Sequence, residues 1–444
     1  MLSLTTSRVG TAGRGMPMTM PDVAGKNRGR GVTLHESLLD LIRARGTATR
    51  AELVDETGWG RTVLTQRLTE LMDIGLVSDA GTGRSTGGRA PREVRFRGEA
   101  AAVVGVNLGA TSIDIAVTDL AGEPLATYEE AWDIAQGPEE TLDRLETLIE
   151  QIVADSPVSQ DDIAGLGVGL PGPVEFATGR TISPPIMPGW NNYPVRDRLA
   201  SRFGVDVVID NDVNTMALGE HWAGLARGVD NFVFVKVGTG VGAGIFSNGA
   251  LHRGADGAAG DIGHIAVEGG STVLCRCGRY GCLEAYAGGA ALARQAQEAA
   301  ASGASKYLTD LLRTSGGPLT AEDITEGASA GDPECLRLLR DAAWRLGQAM
   351  SACVNFFNPS MLVFGGGVSR AGDLLLPGIR QAVLELSLPL ATRNLRIDIT
   401  RLGDTAGTIG AAFTIINHLL RADRFEWWAE RNQAPADTPR LVAG

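Results

Sequence analysis

Phe232-Val233-Phe234-Val235-Lys236-Val237 runs directly into Gly238-Thr239-Gly240-Val241-Gly242-Ala243-Gly244. A short run of β-branched and aromatic residues reads as a buried strand. The glycine series after it reads as a turn whose backbone amides can approach a phosphate. The arrangement recurs along the chain. Ala101–Val106 opens into Asn107-Leu108-Gly109-Ala110-Thr111, followed by alternating Ile113, Ile115 and Val117 and a hairpin turn at Asp119-Leu120-Ala121-Gly122. Another strand ends in Gly167-Val168-Gly169-Leu170-Pro171-Gly172-Pro173, Val205–Ile209 ends in Asp210-Asn211-Asp212, and Met361–Phe364 ends in Gly365-Gly366-Gly367-Val368. Strands that end in such turns and alternate with helices predict α/β lobes, with a ligand held at the strand ends in the crevice between them.

Toward the N-terminus the apolar period lengthens to that of a helix. Leu34, Leu38, Leu41 and Ile42 predict a helix over 33–45 that Gly46 ends. Thr49 with Glu52 three residues on is a capping box for a second helix to about Thr57. Gly58-Trp59-Gly60 is a tight turn, and a third helix spans Arg61 to Ile74, with Val63, Leu64, Leu68 and Leu71 on its buried stripe. Two helices around a glycine turn predict a helix-turn-helix whose second helix enters the major groove of double-stranded DNA. Its outer face offers Arg61, Thr62, Thr65, Gln66 and Arg67 for base edges and phosphates. Strands at Leu76–Ser78 and Glu93–Phe96 then flank a glycine-rich loop, which predicts a wing. That stretch carries Arg84, Arg89, Arg92, Arg95 and Arg97 against Glu93 alone, a composition suited to phosphates or a narrow minor groove.

The 444 residues carry a formal charge of -12, so any DNA-binding charge is local to one face. No uninterrupted apolar run is long enough to span a bilayer. Residues 1–31 lack the apolar core of a secretory signal and read as a disordered leader, with a basic DNA-contacting arm as the alternative. A cytoplasmic protein is expected. Cys275, Cys277 and Cys282 crowd one loop after His264, while Cys335 and Cys353 stand alone in helical patterns. One imidazole and three thiolates make a closed tetrahedral set, so a structural zinc ion is expected.

Arg50-Ala51-Glu52-Leu53, Gly75-Leu76-Val77 and Ser85-Thr86-Gly87-Gly88-Arg89-Ala90-Pro91 resemble the DNA-binding head of repressors in the ROK (repressor, open reading frame, kinase) family. The ordered glycine turns and the cysteine run resemble the same family's two-lobed, ribonuclease-H-like fold, of the actin and hexokinase type. The resemblance covers nearly everything after Val32. It implies a winged helix-turn-helix at 32–98 and a sugar-kinase-like sensor at 99–424, its lobes near 99–212 plus the C-terminal helix and 213–404. A tail at 425–444 is left without a role. It further implies sugar contacts from Asn211, Asp212, Asp261, His264 and Glu284, although family members usually carry Glu where this chain has Asp261. Gly172 and Pro188-Gly189-Trp190-Asn191 resemble further pocket-lining segments.

In kinase members the aspartate matching Asp212 takes the sugar's proton, so the acceptor side is intact. Kinases carry Asp-x-Gly-Gly-Thr where this chain has Asn107-Leu108-Gly109-Ala110-Thr111. A neutral Asn107 holds hydrated magnesium poorly, and the Ala110 methyl stands where backbone must meet phosphate. Gly109, Thr111, Gly238, Thr239, Gly240, Gly365, Gly366 and Gly367 then read as remnants of a nucleotide site, with ATP and magnesium needed only if kinase activity survives. The expectation is a sugar-responsive repressor of carbohydrate-metabolism genes acting as a homodimer or homotetramer. Helices at Ala291–Ala301 and Glu334–Asn355 are the candidate assembly surfaces. The alternative is a bifunctional or true sugar kinase with a DNA-binding head.

Overall fold

A computed structural model describes residues 34–82, 92–267 and 273–433. The leader at 1–31, Arg84 and Arg89 of the wing, and residues 434–444 lie outside the described residues.

The head consists of α1 (Leu34–Arg45), β1 (Thr47–Thr49), α2 (Arg50–Thr57), α3 (Arg61–Asp73), β2 (Val77–Thr82) and β3 (Arg92–Phe96). The capping box at α2 is formed: Glu52 N donates to the Thr49 hydroxyl at 3.2 Å, and Thr49 N donates to the Glu52 carboxylate at 2.7 Å. Leu64, Leu68 and Leu71 are buried, but Val63 is 40% exposed. It sits one residue, about 100° of helical rotation, off the stripe and faces solvent. The strand β1 was not anticipated. It pairs with β3, giving a three-stranded sheet in the order β1-β3-β2.

The remainder is one plan used twice. The first sheet contains β4 (Ala102–Leu108), β5 (Ser112–Asp119), β6 (Pro124–Ala131), β7 (Ile163–Leu170), later β10 (Asp206–Asn211), with α4 (Pro138–Asp155), a small hairpin of β8 (Val174–Glu175) and β9 (Arg180–Thr181), and α5 (Val195–Phe203) between them. Helix α6 (Asp212–Ala223) follows. The second sheet contains β11 (Phe232–Val237), β12 (Val241–Ser247), β13 (Ala250–His252), β14 (Met361–Gly365) and β15 (Arg396–Ile399). Its connections hold α7 (Glu284–Ala287), α8 (Gly289–Ser302), α9 (Lys306–Ser315), α10 (Ala321–Ser329), α11 (Pro333–Phe357), α12 (Gly372–Leu386) and α13 (Pro389–Thr392). The orders β10-β7-β4-β5-β6 and β13-β12-β11-β14-β15 each combine a three-strand antiparallel meander with two parallel strands. This duplicated arrangement is the ribonuclease-H-like fold.

Helices α6 and α14 (Thr405–Leu419) lie between the two sheets. Phe232 and Phe234 of β11 face them, while Val233, Val235 and Val237 face the outer helices, so an unbroken apolar run is what a strand covered on both sides requires. α14 packs backbone to backbone: a Cβ on Gly410 would collide with the Thr215 carbonyl of α6, and one on Gly167 with the Ala411 carbonyl.

The segment expected to be a tail forms α15 (Phe425–Gln433), which packs on the head. Trp428 is buried, its indole donating to the Leu419 carbonyl at 2.8 Å. Phe425 meets His35 of α1 edge-on at 5.4 Å, and Asn432 donates to the Asp73 carbonyl of α3. Polarity and few apolar residues hid this helix; two tryptophans supply its packing.

Candidate functional site

His264 ends a helical turn preceding the cysteine loop. Its Nδ1 stands 3.6 Å from Cys275 Sγ, Cys277 Sγ stands 3.6 Å from Cys282 Sγ, and all four donor atoms lie within 4.8 Å of one another. A tetrahedron with metal–sulfur bonds of about 2.3 Å has edges of about 3.8 Å, so the spacing fits a metal ion. Gly278 (φ 84°) and Gly281 (φ 82°) supply the left-handed turns that bring Cys282 back. A hydrogen bond from Arg279 draws the Cys277 thiol down to about 6, whereas burial pushes Cys282 up to about 12. Three crowded thiols cannot all ionise without a cation among them, so this donor set can hold a metal ion. The His264 Nε2 faces the other way, 3.9 Å from Asp261 Oδ1.

That face borders a cavity of about 190 Å³ at the strand ends, lined among others by Asn211, Asp212, Asp261, His264 and Glu284. The structure therefore gathers all five expected sugar contacts, in different settings. Asn211 caps α6, accepting from Val213 N at 2.9 Å and donating to the Gly172 carbonyl at 3.0 Å. Asp212, 4% exposed, accepts from Val213 N at 2.9 Å and from Lys236 Nζ at 2.5 Å. Glu284 accepts from Val241 N at 3.1 Å. Asp261, 58% exposed, stands at the mouth. Gly172 lines the cavity, but Trp190 does not: its ring is fully buried in the first lobe, donating to the Ile134 carbonyl at 3.3 Å. Pro185 and Ile186, just upstream, line the cavity instead.

The glycine turns converge on the same cleft, Ala110, Thr239 and Gly240 reaching its lining. Asn107 donates to Asp114 at 3.0 Å, and Ser112 donates to the same carboxylate at 3.1 Å. The Gly238 and Thr239 carbonyls accept from Gly289 N and Ala290 N at the start of α8, at 2.7 and 3.1 Å. Gly366 (φ 87°) abuts the Val237 carbonyl. Gly109 N donates to the Ser112 carbonyl at 2.8 Å, the Thr111 carbonyl accepts from Trp132 N at 3.0 Å, Gly365 ends β14, and Gly367 begins a 3-10 turn. Each turn thus has a packing role independent of any nucleotide.

On the head, Arg61, Thr62, Thr65 and Gln66 are exposed along α3, and Arg92 is exposed at the start of β3. Arg67 is half-buried and pairs with Glu70 at 2.7 Å, beside His35. These partners hold the Glu70 carboxyl down to about 2, through His35 first and Arg67 second. Arg95 and Arg97 do not project from the wing: both pair with Glu99, and Arg97 also donates to the Gly75 carbonyl at 3.1 Å, so they brace the join to the lobes.

The ROK family profile matches residues 103–418. The chain is 36% identical over 314 residues to a glucokinase of Halalkalibacterium halodurans, covering 70% of this chain and 94% of that protein. It is 32% identical over 351 residues to a xylose repressor of Caldicellulosiruptor bescii, covering 79% of this chain and 87% of that protein. A solved ROK family transcriptional regulator, described as a homologue of the E. coli MLC protein, matches with a TM-score of 0.75 at 26% identity. It covers 89% of this chain and 98% of its own.

Proposed function

This chain belongs to the ROK family, and on that footing we propose that it is a sugar-responsive, DNA-binding transcriptional repressor of carbohydrate-metabolism genes. The observation that carries this reading is a matter of extent. The glucokinase relative is nearly exhausted by 70% of the chain, whereas the matched regulator structure extends over 89% of it. The excess is the three-helix head with its wing, which a kinase does not need. In this reading residues 32–98 contact operator DNA through Arg61, Thr62, Thr65, Gln66, Arg67 and Arg92, with Arg84 and Arg89 from the wing, and residues 99–424 sense the sugar.

Asn211, Asp212, Asp261, His264 and Glu284 are proposed to hold the sugar hydroxyls. His264, Cys275, Cys277 and Cys282 would bind a structural zinc ion, which supplies no open coordination position and fixes His264 beside the cavity. A phosphoryl-transfer reading is supported by Asp212 and by the glucokinase relative, and opposed by Asn107 and Ala110, which leave magnesium and phosphate poorly served. Among the described residues no helix is long and apolar enough to cross a membrane, and the working site is proposed to be the cytoplasm. A second copy is expected across the end of α11 and α13, where Phe356, Leu388 and Leu390 are 94%, 72% and 76% exposed. Sugar binding between the lobes would alter the spacing or tilt of two heads on adjacent half-sites.

The test is an ATP- and magnesium-dependent coupled assay beside a gel shift with the chain's own upstream DNA, over a panel of hexoses, pentoses and amino sugars. A sugar-sensitive shift without turnover supports the repressor. Rapid phosphorylation without DNA affinity replaces it with the kinase.

A further inference from the structure

Lys236 extends the face of β11 that Phe232 and Phe234 present to α6, so it reaches from the second sheet to the first residue of that helix. Its ammonium lies 2.5 Å from Asp212 Oδ2. Its stem runs beside the phosphate-type turn, a Cβ on Gly238 standing 3.1 Å from Lys236 Cε. Its charge is also felt by Asp114 on β5. The choice of lysine is unusual in this chain, which has three lysines (Lys26, Lys236 and Lys306) against 37 arginines. A lysine supplies a compact point charge on a slender stem, where the planar arginine fork demands more room.

Among the described residues lining the cavity, the charged side chains are Asp212, Asp261, Glu284 and Lys236. With Lys236 committed to Asp212, two carboxylates remain without a free cation. The amides that begin α8, which would otherwise suit an anion, are already spent on the Gly238 and Thr239 carbonyls. We propose that the Lys236–Asp212 pair sets the charge class of the ligand: the cavity admits an uncharged sugar and excludes its phosphorylated or otherwise anionic derivatives. The proposal rests on reading this cavity as the sugar site. The ammonium gives the buried Asp212 a partner while that carboxylate accepts from hydroxyl groups, whereas a phosphate would meet Asp261 and Glu284, the other cation that Asp261 feels, Arg279, lying outside the cavity lining.

The test is calorimetry on the full chain with matched pairs: glucose and glucose 6-phosphate, and N-acetylglucosamine and its 6-phosphate. For any pair that binds, the neutral member is expected to bind at least about tenfold more tightly, because like charges oppose the ester. Equal or tighter binding of the ester overturns the proposal. Lys236→Met is expected to lose more than about tenfold in neutral-sugar affinity, since Asp212 is then buried without a cation. A Lys236→Met protein that binds normally also overturns it. Acetic anhydride labelling of the wild-type chain needs no variant to fold: Lys236 should be acetylated far more slowly than the 89%-exposed Lys306. Equal rates contradict the ion pair. If no member of any pair binds while Lys236 stays protected, the sugar-site reading is what has failed, and the ligand proposal falls with it.

Discussion

His264 presents one ring nitrogen to each side: Nδ1 faces the thiols and Nε2 faces the cavity. Removing a thiolate should therefore disturb more than a metal. We expect Cys282→Ser to abolish zinc binding, measured by atomic absorption, and to lower Tm by more than about 10 °C, because metal-binding energy is folding energy. For Glu284→Gln we expect sugar affinity to fall by about tenfold or more in calorimetry, as a charge-assisted hydrogen bond is worth about 1.5–3 kcal/mol. An unchanged affinity would remove Glu284 from the sugar contacts. The set that can hold a metal ion was legible because three cysteines and a histidine form a dense local signal. Lys236 was not, since a single cation inside a strand declares its partner only after folding. Arg95 and Arg97 looked like wing contacts by composition, yet the carboxylate that claims them, Glu99, lies just beyond the hairpin.

Helix α6 begins at Asp212 in the cavity and carries His221 and Trp222 near its other end. His221 stacks on Phe246 at 4.5 Å, and burial pulls it down to about 4. An unfolded histidine titrates near 6.5, so between these values the unfolded chain binds a proton that the folded chain does not. Stability from this site is full above about pH 6.5 and declines as pH falls toward 4, by on the order of 3 kcal/mol. Urea unfolding at pH 7 and 4.5 should show the loss in wild type and a smaller one in His221→Phe; identical losses would refute it. On α3, Arg61→Ala should weaken operator binding at every sequence tested and reduce the log–log salt slope by about one, the mark of a lost phosphate contact. A base-specific loss with an unchanged slope would move Arg61 to the groove floor. The helices of the head were readable because caps and turns are local signals: Thr49, Glu52 and Gly58 mark their ends unaided. The strand β1 was not, because three residues acquire strand character only through pairing with β3.

In the whole molecule, α1 is tied to the lobes by Arg43, whose side chain is 4% exposed. Its guanidinium lies 4.3 Å from the Trp222 ring and bonds Asn417 of α14 at 3.3 Å, while Trp222 stacks on Phe413 at 5.2 Å. The helix that carries Asp212 into the cavity thus ends against the head. The duplicated sheets could be read from recurrent glycine turns, but this junction could not, since its members lie hundreds of residues apart. If the junction transmits sugar binding, Arg43→Met should leave sugar affinity intact and leave operator affinity nearly indifferent to sugar; a full response in this variant would place the coupling elsewhere. The central claim is that a sugar in the cleft changes how the head holds DNA. It is tested most directly by fluorescence anisotropy with the upstream operator, with and without a sugar shown by thermal shift to be saturating. The account predicts that the operator Kd rises by about tenfold or more, a typical coupling of 1–3 kcal/mol; an unchanged Kd at saturating sugar would contradict it.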